Sequence, residues 1–213
     1  METPKQPELL QLFPKPVLIS KYHKDFTEEL NYIKSLEHKL NEKSQTEYAK
    51  QSTNTFLLDE PELASIREFI EAYLKFYVHS VLECSDELVI TQAWSNICEK
   101  GKKHHEHVHP NSIVSGVFYF QINENLPPIE FRNPNTHSFN LNIQKQNNFN
   151  SATFLLPLNS GELILFPSNL THSVPENKAD LPRISLAFNT FAKNSLGSID
   201  SLTYLPLNEL PRK

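Results

Sequence analysis

The chain of 213 residues contains only four glycines, two cysteines, one tryptophan and one methionine, and it has no surplus of positive charge. Each shortage excludes something. Cys84 and Cys98 lack the close spacing of a redox or zinc pair, so they read as reduced thiols in a cytoplasmic protein, not as a disulfide framework. Lys and Arg number 20 against 25 Asp and Glu, a formal charge of −5, without the basic field that contacts to nucleic-acid phosphates require. The longest apolar stretches, such as 113–120 and 153–158, fall far short of the roughly 20 residues of a membrane helix. The opening Glu2-Thr3-Pro4-Lys5 has no apolar signal region behind it. The expectation is a cytoplasmic protein with neither nucleic acid nor a membrane as its partner. Scarce Gly, Ala and Arg beside 16 Lys, 13 Ile and 20 Asn are the codon bias of an AT-rich genome, which makes each retained Gly and Arg informative.

What is present is enough apolar material for a core. Leu, Ile, Val and Phe make up 63 residues, roughly thirty per cent of the chain and well above the level at which chains stay disordered. The length favours one domain. Residues 1–16 hold Pro4, Pro7, Pro14 and Pro16 and read as an extended arm, with Val17-Leu18-Ile19 as a first strand. Apolar residues then recur at helical spacing twice. Phe26, Leu30, Ile33, Leu36 and Leu40 predict a helix over 26–42, with Asp25 or Thr27 as its cap. Leu63, Ile66, Ile70, Leu74, Tyr77 and Val81 predict a second over 61–82, introduced by Asp59-Glu60-Pro61-Glu62. Residues 17–86 thus read as a helical buttress.

From about residue 87 to 192 the period changes to short strands: Leu88–Ile97, Ile113–Gln121, Ile129–Arg132, Thr153–Leu158, Glu162–Phe166 and Arg183–Phe191. This is the pattern of a sandwich or barrel core with the helices on one outer face, and 193–213 forms a tail. A polar insert over 123–150, with six Asn between 133 and 148, reads as a lid, a binding loop or a disordered segment at the entrance, and deleting 135–148 tests the lid.

Four of the nine histidines fall within six positions, His104-His105-Glu106-His107-Val108-His109, directly before Pro110. On an extended chain residues i and i+2 face the same way, so three pairs could each offer two side chains to one metal ion: His104/Glu106, His105/His107 and His107/His109. Each needs a distant third ligand, and a histidine run alone reads equally well as a solvated tract. His172 follows the apolar strand Glu162–Phe166 that Gly161 opens, and eleven residues later Arg183 and Ser185 share one face of a strand whose other face carries Ile184, Leu186 and Phe188. An arginine there needs an anion, either a carboxylate of the protein or a ligand.

The order of these pieces resembles the double-stranded β-helix (jelly-roll) oxygenases that depend on iron(II) and 2-oxoglutarate, nearest to those of marine bacteria and phages. Ala93-Trp94-Ser95-Asn96-Ile97, His107-Val108-His109-Pro110-Asn111-Ser112, Ser115-Gly116-Val117-Phe118-Tyr119, Leu165-Phe166-Pro167-Ser168 with His172, and Arg183-Ile184-Ser185 through Asn189 carry it, over about residues 10–192. The resemblance implies a mainly β single domain, a jelly roll with flanking α-helices. It implies iron(II) on His107, His109 and His172, with Arg183, Ser185 and Tyr119 holding 2-oxoglutarate. It also implies hydroxylation of a substrate by O2 with release of succinate and carbon dioxide. The family pattern, however, has a carboxylate where His109 stands, so His104/Glu106 remains the alternative pair. Zinc, a three-histidine dioxygenase that ignores 2-oxoglutarate, and a metal-stapled binding module remain rival readings. The substrate class is a small molecule or peptide, and a homodimer through the helices is left open.

Overall fold

The computed structural model describes residues 9–40, 47–134 and 142–207. Thirteen strands and two α-helices are ordered along these residues. β1 (Leu18–Lys21), α1 (Thr27–Ser35), β2 (His38–Lys39), β3 (Lys50–Ser52) and α2 (Ala64–Phe76), with a π turn over Tyr77–Val81, precede eight core strands. These are β4 (Leu88–Cys98), β5 (His104–His107), β6 (Val114–Gln121), β7 (Ile129–Arg132), β8 (Thr153–Leu156), β9 (Glu162–Pro167), β10 (His172–Val174) and β11 (Arg183–Ala192). A small hairpin of β12 (Ser195–Leu196) and β13 (Leu205–Pro206) ends the described chain.

Apart from the β7–β8 pair, consecutive core strands alternate between two antiparallel sheets, the connectivity of a jelly roll. β9, β6, β11 and β4 lie side by side in the large sheet, which β1 extends at one edge and β3 and β2 at the other; β5, β10, β7 and β8 form the small sheet. The large sheet is covered on both faces, so its strands read as nearly continuous buried runs. One face takes α1 and α2 through Ile33, Ile66, Ile70 and Leu74 against Phe118, Phe120, Leu163, Leu165, Leu186 and Phe188. The other meets the small sheet through Val117, Tyr119, Ile129, Phe131, Ile164 and Phe166. Gly116 permits that helix-side packing: a Cβ there would lie 2.2 Å from Phe188 and 2.7 Å from Leu165. Among the described residues no helix is long and apolar enough to cross a membrane.

Three expectations are corrected. The helix predicted over 26–42 ends at Ser35, because the chain turns extended at Leu36 and His38 enters the large sheet, its Nε2 2.8 Å from Ser95 Oγ; residues 41 and 42 lie outside the described residues. Neither Asp25 nor Thr27 caps that helix; the two side chains bond to each other at 2.8 Å. The segment 17–86 is thus not only a helical buttress, since it contributes β1, β2 and β3 to the sheet. Residues 1–8 of the arm, 135–141 of the expected lid and 208–213 of the tail lie outside the described residues.

Candidate metal centre and anion pocket

Two short strands decide where the histidines go. β5 and β10 pair antiparallel, but His172 lies opposite His107 while Val174 lies opposite His104, so two steps on β10 face three on β5. The extra residue is a β-bulge, and it shifts the alternation by one. Strict period two would group His105 with His107; the bulge instead points both His104 and His107 into the space between the sheets, where they line one cavity with His109 and His172. Glu106 faces outward and forms an ion pair with Arg132 of β7. The alternative pair His104/Glu106 is therefore split between the two sides of the strand.

His107, His109 and His172 converge, their ligand nitrogens all within 4.8 Å of one another. His109 and His172 are 8% and 5% exposed. Each ring is held by its Nδ1. That of His107 donates to the carbonyl of His105 at 2.9 Å, that of His172 to the carbonyl of Leu170 at 2.9 Å, and that of His109 to Asn189 Oδ1 at 2.6 Å. Carbonyl oxygens only accept, so the proton of each neutral ring sits on Nδ1 and each Nε2 presents a lone pair inward. The Nε2 atoms of His109 and His172 are 3.2 Å apart. Two lone pairs opposed at that distance repel, and a cation between them reverses the sign. A metal–nitrogen bond of about 2.1 Å separates two neighbouring ligand nitrogens by roughly 3 Å, so the spacing fits a divalent ion.

The surroundings keep these imidazoles in the ligating form. Burial, reinforced by the neighbouring rings, holds His172 down to about 3 and His107 to about 4; burial also lowers His109 and takes His104 to about 3. Trp94 stacks on His109, and Phe166 meets His172 edge-on. Asn189 is itself fixed: Ser115 Oγ donates to its Oδ1 at 3.0 Å, and Ser115, Ser168 and Ser112 join in a buried hydroxyl cluster at 2.8–3.2 Å. This set was not singled out from the sequence as functional, although Asn189, Ser112, Ser115 and Ser168 all fall within the motifs named above. Single polar residues at strand ends carry no signal until the strands pair.

The same cavity has a cationic end. Arg183, 4% exposed, starts β11, and its guanidinium lies 4.9 Å from the centre of the Tyr119 ring. Its Nη1 donates to Ser185 Oγ at 3.3 Å, but its Nε, the Tyr119 hydroxyl and Asn96 Oδ1 are buried without hydrogen-bond partners. Among the described residues no carboxylate pairs with Arg183. An unpaired buried charge costs several kcal/mol, on the order of 3–5, so this end of the cavity is built for an anion. Burial pushes Tyr119 up to about 12, leaving its hydroxyl protonated and able to donate. All six residues predicted for the site therefore line one cavity.

Comparison with known proteins accords with this geometry. Residues 92–189, spanning β4 to β11, match the sequence family described as "Putative 2OG-Fe(II) oxygenase". Over these strands the chain is similar to the 2OG-Fe(II) oxygenases. No curated protein sequence matches the chain. Among solved structures it is similar to HygX from Streptomyces hygroscopicus with nickel, 2-oxoglutarate and hygromycin B bound, at 11% identity, TM-score 0.60 and coverage of 83% of this chain and 82% of that one. It is also similar to the epimerase SnoN in complex with Fe3+, alpha ketoglutarate and nogalamycin RO (12% identity, TM-score 0.62, coverage 92% and 88%). A 2OG-Fe(II) oxygenase family oxidoreductase from Burkholderia pseudomallei matches at 13% identity and TM-score 0.52, covering 77% of this chain and 78% of that one. At these identities the structural likenesses establish the jelly-roll fold.

Proposed function

We propose that this protein is a cytoplasmic iron(II)- and 2-oxoglutarate-dependent dioxygenase that hydroxylates a polar small molecule or peptide. His107, His109 and His172 would hold the ferrous ion, and Arg183 with Ser185 and Tyr119 would hold the distal carboxylate of 2-oxoglutarate. The observation that carries this reading is the buried Arg183, without a carboxylate partner among the described residues, in the same cavity as three inward lone pairs. When bound, iron and 2-oxoglutarate supply the oxidising power: O2 converts the cosubstrate to succinate and carbon dioxide and places its second oxygen atom on the substrate.

The protein's own part is positioning and charge. Arg183 and Ser185 grip one carboxylate in a fixed plane, and the Tyr119 hydroxyl adds a third donor. The hydrogen bonds at Nδ1 lock the ring orientations, while Trp94 and Phe166 keep water off them. Three neutral imidazoles leave the ion's charge undiminished, one unit more positive than a set containing a carboxylate, and this favours a dianionic cosubstrate.

The test is an anaerobic titration of metal-free protein with iron(II) and then 2-oxoglutarate. A visible charge-transfer band should develop only with the cosubstrate and weaken in Arg183→Ala. Bound iron without a band would overturn the 2-oxoglutarate reading and leave a three-histidine dioxygenase, which the absence of a carboxylate in the triad would accommodate.

A further inference from the structure

His107 belongs to a second group of three. The ligand nitrogens of His104, His105 and His107 also lie within 4.8 Å of one another. Their rings contact pairwise, with centroids 4.9 Å (104 to 105), 4.6 Å (104 to 107) and 4.9 Å (105 to 107) apart. Exposure is graded along the run: His105 is at the surface, His104 and His107 are half-buried, and His109 and His172 are buried. The β5 bulge creates this arrangement, since it turns His104 to the same side as His107. The adjacent Glu106 is held away by Arg132, so it does not complete a closed coordination shell here.

We propose that His104, His105 and His107 form an outer divalent-metal site that captures an ion at the surface and passes it through His107 to the inner triad. Because its Nδ1 is committed to the carbonyl of His105, His107 has one nitrogen to give, so the two sites exclude each other and the chain holds one ion at a time. Passage then exchanges imidazoles stepwise, His104 and His105 for His109 and His172, and the ion is never without a protein ligand. The outer group reaches solvent through His105, so capture there is fast; the inner ligands are locked by hydrogen bonds, so residence there is long. The hand-off rests on the proposed function, which supplies its destination, whereas the outer site itself does not.

The probe is cobalt(II), whose visible bands report imidazole ligation, added to the full chain. The double variant His109→Ala/His172→Ala should still bind one cobalt ion weakly, and adding His105→Ala should abolish that binding. No cobalt bound by the double variant, or binding indifferent to His105, would overturn the outer site. In the otherwise unaltered chain, His105→Ala should slow cobalt entry several-fold in stopped-flow mixing while leaving the equilibrium dissociation constant unchanged, with release slowed by the same factor. Unchanged entry would overturn the hand-off, and this variant reads out even if the double variant does not fold. A chain that binds no cobalt at the inner triad would instead sink the proposed function, while the double variant still reports on the outer site.

Discussion

On the helix side of the large sheet, Phe118, Phe120, Ile184, Leu186 and Phe188 meet α1 and α2, and the Tyr77 hydroxyl buried in the same cluster is satisfied, donating to the carbonyl of Pro16 at 2.9 Å. On the opposite side of the same two strands, Tyr119, Arg183 and Ser185 are equally buried, yet polar atoms there lack partners. Alternation along β6 and β11 thus separates stability from function at one-residue intervals. The first face lowers the free energy of the folded chain through apolar area and close packing. The second gives up stability by leaving the Arg183 cation and the Tyr119 hydroxyl buried without partners among the described residues, and it is tolerable because the first is so well packed.

The separation can be broken most severely from the helix side. Phe188→Ala should cost about 3–5 kcal/mol, as a large aromatic is lost beneath Gly116, and urea unfolding will register it as a lowered midpoint. Arg183→Met tests the other side: removing an unpaired buried charge should leave metal-free stability unchanged or raised, while 2-oxoglutarate binding weakens by about 2–5 kcal/mol, measured by anaerobic calorimetry. A variant that unfolds instead would mean that Arg183 is structural. Asn189→Ala should lower metal affinity about 10–100-fold with a smaller effect on stability, because His109 loses the partner that fixes its tautomer; Asn189→Asp, which keeps the acceptor, should retain most of that affinity.

A milder break uses pH. His104, His107 and His172 titrate at about 3–4 in the folded chain, below the ordinary histidine value of 6.5. The unfolded chain therefore takes up protons first as pH falls, and metal-free stability should drop between pH 7 and pH 5, less steeply in His172→Gln. The smallest effect is expected at Glu106→Gln. Its exposed pair with Arg132 is worth roughly 0–1 kcal/mol, and metal affinity should not change, which sharpens the distinction between the two sides of β5.

The long strands were legible because apolar residues recur along them in stretches of eight to eleven, and β6 and β11 fall within a residue of their expected limits. β5 and β10 were not predicted as strands: they span four and three residues and consist largely of histidine and serine, which no propensity marks as extended. The first helix was drawn too long because Leu36 and Leu40 keep helical spacing past Ser35, where sheet pairing at His38 wins. The Asn189 cluster lay within recognised motifs, but its role depends on three strands meeting.

The sequence by itself determined the two-faced character of β11, since period two is local and Arg183-Ile184-Ser185 can adopt only one alternation on an extended strand. It likewise determined which residue types were available for a metal and an anion. Only the tertiary structure decided which histidines face inward, because the bulge that groups His104 with His107 and turns Glu106 outward is a property of the register between β5 and β10. Register is set by the strand across the sheet, 65 to 70 residues away along the chain, and no local pattern contains it.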